Sequence, residues 1–118
     1  MSYIMTLELF LRGLCHELDV SLQTEFKFHP VRKFRFDFAV IPLKVAVEYD
    51  GGVFSGGRHT QGVGYSNDAV KGNLALESGW KVYHVTSRLM EPKRVAETLN
   101  RLEVIIRAEA AKAKRGAE

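Results

Sequence analysis

Three carboxylates stand in or next to apolar, strand-like runs, where acidic side chains are uncommon. Asp37 lies inside the first run, and Glu48 and Asp50 lie at the end of the second, just before a glycine-rich segment. Burying a carboxylate is costly unless a cation or hydrogen bonds compensate its charge. Three such groups near one edge of a sheet favour a divalent cation as the compensating charge. The pattern therefore predicts metal-assisted chemistry.

Asp37 and Glu48 are spaced to meet across a turn. The turn at residues 42–43 lies about midway between them, so antiparallel pairing of the two runs would bring them side by side. Hard oxygen ligands of this kind suit Mg²⁺ or Mn²⁺, with water and a substrate phosphate in the remaining positions. Such an ion lowers the pKa of a bound water and stabilises charge on a phosphodiester. Glu25 on the preceding strand, or Glu17 on the first helix, is the candidate outer-shell carboxylate.

An ordinary structural role for these carboxylates is the alternative. A single acidic residue in a strand more often forms a salt bridge, here with Arg35 or Lys44. The glycine-rich loop at residues 51–66 shifts the balance towards a functional site, because it holds six of the ten glycines. Long loops inside compact domains are usually functional.

Hydrophobic periodicity predicts the elements that position the carboxylates. The helices are expected at residues 6–18, at 67–78 between Ser66 as N-cap and Gly79, and from about Pro92 onwards. The strands are expected at residues 24–29, 34–41, 44–49 and 80–86, with Phe34, Phe36 and Phe38 alternating in the second. Residues 110–118 are expected to fray. The order α-β-β-β-α-β-α predicts an α/β protein with a mixed sheet, helices on its faces, and a last strand parallel to the central one.

Composition places the chain among ordinary globular proteins. It has 118 residues, 46% of them hydrophobic and 26% charged, which suits one domain with a single core. No apolar run approaches a membrane span, and the N-terminus lacks signal-peptide features. The lone cysteine, Cys15, excludes a disulfide framework within the chain and zinc ligation by cysteine clusters. We therefore expect a protein of the reducing cytoplasm.

Positive charge is concentrated in two places. The net charge is +3. The first cluster comprises Lys27, His29, Arg32, Lys33 and Arg35, and the second comprises Arg101, Arg107, Lys112, Lys114 and Arg115. Such clusters suit a polyanion such as nucleic acid. A solvated surface explains the charge alone equally well.

The motifs together resemble the PD-(D/E)XK nuclease superfamily. The resemblance rests on Phe36-Asp37-Phe38, on the run from Val47 to Gly52, on Asp68 with Lys71, and on Gly79-Trp80-Lys81-Val82. It covers residues 6–86 and is strongest for small single-domain members, the very-short-patch-repair-like proteins and phage-type endonucleases or resolvases, which act inside a host cell. It implies a restriction-endonuclease-like αβββαβ core, here with an added C-terminal helix.

The resemblance also implies a metal site. Asp37 and Glu48 would be its carboxylates, and the backbone carbonyl of Tyr49 a further ligand. The family's usual lysine falls at position 50, where this chain has Asp50. The departure removes the residue expected to position or activate water, and it adds a candidate metal ligand. Lys71, on the helix that follows, is the candidate replacement for the lysine.

Several neighbouring residues have competing interpretations. Asp68 and Lys71 at i,i+3 spacing would also suit a plain helix ion pair. In the glycine-rich loop, Arg58 is placed to contact a phosphate and His59 to act as acid or base near the scissile bond. A loop whose histidine is merely exposed is the alternative. Trp80, His84 and Cys15 are expected in or near the core and without chemistry.

The leading hypothesis is a Mg²⁺-dependent endonuclease that hydrolyses DNA, with junctions or branched DNA as candidate substrates. A homodimer would supply the two sites needed to cut both strands. The residues expected to contact DNA are Lys27, Arg32, Lys33, Arg35, Arg58 and His59. A non-catalytic nucleic-acid-binding module on the same fold is the second hypothesis, kept open by Asp50. A structural or partner-binding α/β domain is the third.

Overall fold

The computed structural model describes residues 1–51 and 61–117. Its elements are α1 (Tyr3–Leu18), β1 (Leu22–Lys27), β2 (Arg35–Val40), β3 (Val45–Asp50), α2 (Gln61–Glu77), β4 (Lys81–Thr86) and α3 (Val95–Ala117). Short 3-10 turns at Ile41–Leu43 and Arg88–Met90 join β2 to β3 and precede α3. Among the described helices, none combines the length and the apolar character needed to cross a membrane.

The four strands form one mixed sheet in the order β1-β2-β3-β4. The first three strands are an antiparallel meander, and β4 runs parallel to β3 after the crossover through α2. The predicted fold class is confirmed: three helices and a mixed four-stranded sheet in the order αβββαβ, with α3 added at the C-terminus. The parallel pair matters most, because it sets the carboxyl ends of β3 and β4 side by side.

The sheet is covered on both faces. On one face, Leu11 of α1 and Leu102 of α3 pack with Val45 and Val47 in one buried cluster. On the other face, Ala75 of α2 belongs to a second cluster with Phe36, Ala46 and Trp80. Strand β3 contributes to both clusters, which explains its nearly continuous Val/Ala sequence. The face with α2 is the one that carries the candidate site.

The side chains of strands β1 and β2 do not alternate regularly between the two faces of the sheet. Phe36 joins the cluster beneath α2, whereas Phe38 joins the cluster beneath α1 and α3, so the predicted alternation of Phe34, Phe36 and Phe38 on one face is wrong. The change of face falls between the pairs Phe38–Thr24 and Phe36–Phe26. Glu25 adopts a positive φ of 50° at this point, a conformation uncommon for residues other than glycine. Asp37 lies opposite this irregularity, in β2.

Two helices are longer than their sequences indicate. α2 begins at Gln61, not after Ser66 as N-cap, because the low helix propensity of Gly62 and Gly64 does not stop the helix there. α3 continues to Ala117, where the sequence predicts a frayed tail from residue 110. Alanine-rich sequence favours the extension, and Glu109 on α3 bonds to both Lys81 and Lys112.

Gly79 ends α2 in a left-handed conformation, with φ of +84°, as its position after the helix predicts. We expect Gly79→Ala to destabilise the protein by about 1 kcal/mol, because a Cβ disfavours this φ. Urea unfolding measures the change. The matched control is Gly13→Ala in α1, where a Cβ would meet nothing within 4 Å. That substitution should stabilise the helix by up to about 1 kcal/mol. Equal effects at the two positions would contradict the conformational explanation.

Candidate functional site

A cavity of about 1000 Å³ opens between α2 and the carboxyl ends of β3 and β4. Ligands commonly bind at the carboxyl ends of parallel strands in sheets of this type. The strand register places His84 beside Glu48 and Thr86 beside Asp50. The polar residues that line the cavity are Asp37, Glu48, Tyr49, Asp50, Asp68, Lys71, His84 and Thr86.

The side chains of Asp37 and Glu48 are each held by a backbone amide of the neighbouring strand. The amide of Asp37 donates to Glu48 Oε2 at 3.1 Å, and the amide of Tyr49 donates to Asp37 Oδ2 at 2.7 Å. The last paired residues before this point are Phe38 and Val47. The two carboxylates therefore take over the hydrogen bonding where regular pairing stops. The structure brings together the two residues that the turn position predicts to be neighbours.

Glu48 is buried, with 8% of its surface exposed, and Lys71 of α2 neutralises it. The Lys71 ammonium donates to Glu48 Oε1 and lies 5.8 Å from the centroid of the Phe36 ring. Burial raises the pKa of Glu48 above its ordinary value, against the opposing hydrogen bonds from Lys71 and the Asp37 amide. Burial therefore favours the protonated form of Glu48, and a nearby cation favours the charged form.

If the carboxylates had only a structural role, salt bridges with Arg35 or Lys44 would be expected, and Lys44 has a different partner. Lys44 donates to the backbone carbonyl of Ser78 at 2.9 Å. Within the described part of the chain, the ion pair of Glu48 is with Lys71, and Lys71 forms no pair with Asp68. The predicted i,i+3 helix pair is therefore replaced by a bond from α2 to the sheet.

Asp50 and His84 form a second polar pair at the cavity rim. His84 Nδ1 lies 3.3 Å from Asp50 Oδ2. The prediction that His84 belongs to the core is wrong, because its side chain is 64% exposed. The predicted parallel pairing of the last strand with β3 could have indicated this position, because it places a residue of that strand beside Glu48. Trp80 and Cys15 are buried as predicted, and burial raises the pKa of the Cys15 thiol.

The arrangement suits Mg²⁺ with few protein ligands. This ion keeps several waters and uses one or two carboxylates, and Asp37 and Glu48 are the residues here that could hold it. Within residues 1–51 and 61–117, no three acidic, histidine or cysteine side chains converge on one point. Asp50 contacts His84 instead, so its role as a ligand stays a prediction. The Lys71 ammonium binds Glu48 Oε1, a carboxylate oxygen that could also bind a divalent cation.

The two candidate outer-shell carboxylates lie in different parts of the fold. Glu17 bonds to Arg107 of α3 at 2.6 Å, on the face of the sheet opposite α2. Glu25 is exposed at the irregularity in edge strand β1. Neither residue lines the cavity. Glu17 is therefore engaged with α3, and the outer-shell role of Glu25 stays a prediction.

The first basic cluster lies at the same end of the sheet as the carboxylates. Lys27 and Arg35 are direct partners across β1 and β2, and Arg35 is two residues from Asp37. Three of the five residues in the second cluster pair with glutamates: Arg101 with Glu97, Arg107 with Glu17 and Glu103, and Lys112 with Glu109. Arg58 and His59 lie outside the described residues, and their contacts with DNA stay predictions.

Comparison with known proteins identifies the fold. A scan against family models and a search of curated proteins find no match. Among solved structures, the chain is similar to the catalytic domain of the homing endonuclease I-Bth0305I, with a TM-score of 0.54 and 16% sequence identity. The similarity covers 90% of this chain and 94% of that domain. At this identity the likeness shows that the two chains share a fold.

Proposed function

We propose that this protein is a divalent-metal-dependent endonuclease that hydrolyses DNA phosphodiester bonds. The observation that carries the proposal is the Asp37–Glu48 pair, held at the cavity by reciprocal backbone hydrogen bonds and neutralised by Lys71. A buried Glu48 beside a half-buried Asp37 is a costly arrangement for stability alone. The fold shared with a homing endonuclease catalytic domain supports the proposal, as does the resemblance to the PD-(D/E)XK superfamily.

Each residue of the pair has a defined task in this proposal. Asp37 and Glu48 hold the ion, with the backbone carbonyl of Tyr49 as a further ligand. When bound, Mg²⁺ or Mn²⁺ activates a water and stabilises the charge that develops on the phosphodiester. The two backbone hydrogen bonds keep the carboxylates in a single geometry before substrate arrives, which removes an ordering cost from the reaction.

Lys71 takes the part of the lysine that Asp50 replaces. Its ammonium lies at Glu48, and its side chain is 24% exposed in the cavity. Once Glu48 has another cation, the ammonium can donate to a phosphate oxygen or to the attacking water. Lys71 reaches the site from α2 rather than from β3, so the same charge comes from a different element of the fold.

The first basic cluster supplies the grip on DNA. Lys27, Arg32, Lys33 and Arg35 lie on the meander end that carries Asp37, where they can neutralise phosphates. We expect binding to weaken as salt rises, because contacts with phosphates release counterions. Junctions or branched DNA are the proposed substrates, and a homodimer is the proposed form for cutting both strands.

The proposal predicts cleavage that requires Mg²⁺ or Mn²⁺. Supercoiled plasmid, linear duplex, single-stranded DNA and a four-way junction are incubated with each metal and with EDTA, and products are resolved on gels. Cleavage should appear with metal and stop with EDTA. A protein that cuts none of these substrates with either metal would contradict the proposal. Metal-free cleavage at the same rate would contradict the role of the carboxylates.

A non-catalytic nucleic-acid-binding module is the second candidate, and Asp50 in place of the usual lysine is the observation in its favour. It predicts salt-sensitive DNA binding without cleavage. Calorimetric titration with Mn²⁺ separates the two functions. Binding of Mn²⁺ that is lost in Glu48→Gln supports the nuclease, whereas the absence of Mn²⁺ binding supports the module.

A further inference from the structure

A second cavity, of about 480 Å³, includes Asn67, the residue before Asp68 of the candidate site. It is formed by the loop between β1 and β2 and by the N-terminal half of α2. The residues that line it are Val31, Arg32, Lys33, Phe34 and Asn67. Neither the metal site nor the general grip on phosphates requires the aromatic, apolar and amide groups found there.

The loop that forms this cavity is held in place before any ligand binds. His29 Nδ1 accepts hydrogen bonds from the amides of Val31, at 3.2 Å, and Arg32, at 3.0 Å. The preceding Phe28 ring stacks on Phe36 of the sheet, with centroids 4.1 Å apart and planes at 6°. A loop anchored in this way loses little conformational entropy when it binds a partner.

The chemistry of the cavity suits a nucleobase. The Arg32 guanidinium lies 4.9 Å from the centroid of the Phe34 ring, so it presents a flat surface supported by an aromatic ring. Unstacked bases pack on aromatic rings and on guanidinium planes. Val31 adds an apolar surface that is 78% exposed. Asn67 adds an amide that can both donate to and accept from a base edge.

The position of the cavity relates it to the cleavage site. Asn67 precedes Lys71 by one turn of α2, and four helical residues span about 6 Å. One strand of DNA rises about 3.4 Å per nucleotide. The cavity therefore lies on the same helix as Lys71, within reach of a strand whose phosphate is held at Lys71 and Glu48.

We infer that this cavity binds an unpaired base of the DNA strand, close to the scissile phosphate. The inference rests on the proposed nuclease function, because the base is placed relative to the phosphate that the nuclease would cut. A base can enter only when it is unstacked from its duplex. The protein therefore prefers DNA with an unpaired nucleotide, such as a bulge, a branch or a single strand, over the fully paired duplex.

Fluorescence anisotropy in EDTA tests the inference without cleavage. The probes are a fluorescein-labelled duplex and the same duplex with one unpaired nucleotide. Wild type should bind the second probe roughly five- to a hundredfold more tightly, the range that stacking of one base supplies. Phe34→Leu and Asn67→Ala should lose this preference. Asn73→Ala, an exposed asparagine elsewhere on α2, should retain it.

Arg32→Lys keeps the charge of the exposed loop and removes the flat guanidinium, so it serves as the variant least able to disturb folding. It should lose the preference but keep the salt dependence of binding. Equal binding of both probes by wild type, or an unchanged preference in Arg32→Lys and Asn67→Ala, would overturn the inference. Cleavage with no preference rejects only the base pocket. A preference with no metal-dependent cleavage rejects only the nuclease.

Discussion

Glu48→Gln removes metal-dependent DNA cleavage, by at least about a hundredfold, and leaves the protein folded. Loss of a residue that merely supports a metal ligand costs about 10- to 100-fold, so loss of a ligand should cost no less. Glutamine has the size of glutamate and keeps an oxygen to accept the Asp37 amide, which now bonds to Glu48 at 3.1 Å. Single-turnover cleavage rates with Mn²⁺, together with Mn²⁺ calorimetry, measure the effect.

The matched control is Glu77→Gln, which removes the same charge from an exposed position on α2. It should cleave at the wild-type rate. Asp37→Asn should behave as Glu48→Gln does, because both carboxylates hold the same ion in the proposal. A Glu48→Gln protein that cuts DNA as fast as wild type would show that the carboxylate pair is not the metal site.

Glu48→Gln should also change how the stability of the protein depends on pH. Burial raises the folded-state pKa of Glu48 above its unfolded value, so the folded state favours the protonated form. The corresponding stability is present below the unfolded pKa and is lost as pH rises through the folded pKa. In EDTA, wild type should lose stability across this interval. Glu48→Gln should lack that step in urea unfolding measured at several pH values. A step of the same size in both proteins would contradict the burial argument.

Lys71→Met lowers cleavage by about a hundredfold, the loss seen when one well-placed donor at a reacting centre is removed. Methionine keeps most of the apolar stem that lines the cavity and deletes the ammonium. The Lys71 hydrogen bond lowers the pKa of Glu48 against its burial, so its loss should raise that pKa further. The acid limb of the pH–rate profile should therefore move to higher pH.

Lys93→Met is the control for loss of a positive charge, since Lys93 is exposed and does not line the cavity. Lys71→Arg, which keeps the charge, should retain part of the activity and keep the acid limb near its wild-type position. A Lys71→Met protein with a normal rate and an unmoved acid limb would contradict the proposed role of Lys71. It would favour the hypothesis of a binding module.

The small structural or partner-binding domain, the third hypothesis, is tested by the same measurements. It predicts no affinity for Mn²⁺ and none for DNA. The hydrogen bonds that Asp37 and Glu48 accept from each other's strand argue against this third hypothesis. Ordinary backbone hydrogen bonds between the strands would stabilise the fold without either carboxylate. Replacing a buried ion pair with apolar residues of similar volume often leaves stability unchanged or raises it.

The sequence by itself determined the order of elements and the meeting of Asp37 with Glu48. Both are local properties. Period-two and helical patterns define each element, and a short turn between antiparallel strands sets which residues face each other. The crossover through α2 then required β4 to lie parallel to β3.

Only the tertiary structure decided which other side chains join the pair. The docking angle and position of α2 bring Lys71 to Glu48 instead of Asp68. The end of β4 leaves His84 exposed beside Asp50, and the packing of α1 on α3 turns Glu17 to Arg107. The change of face at Glu25 and Asp37 interrupts the regular alternation of both strands. These outcomes depend on how helices pack on the sheet, and helix periodicity specifies the buried face without specifying the residue it meets.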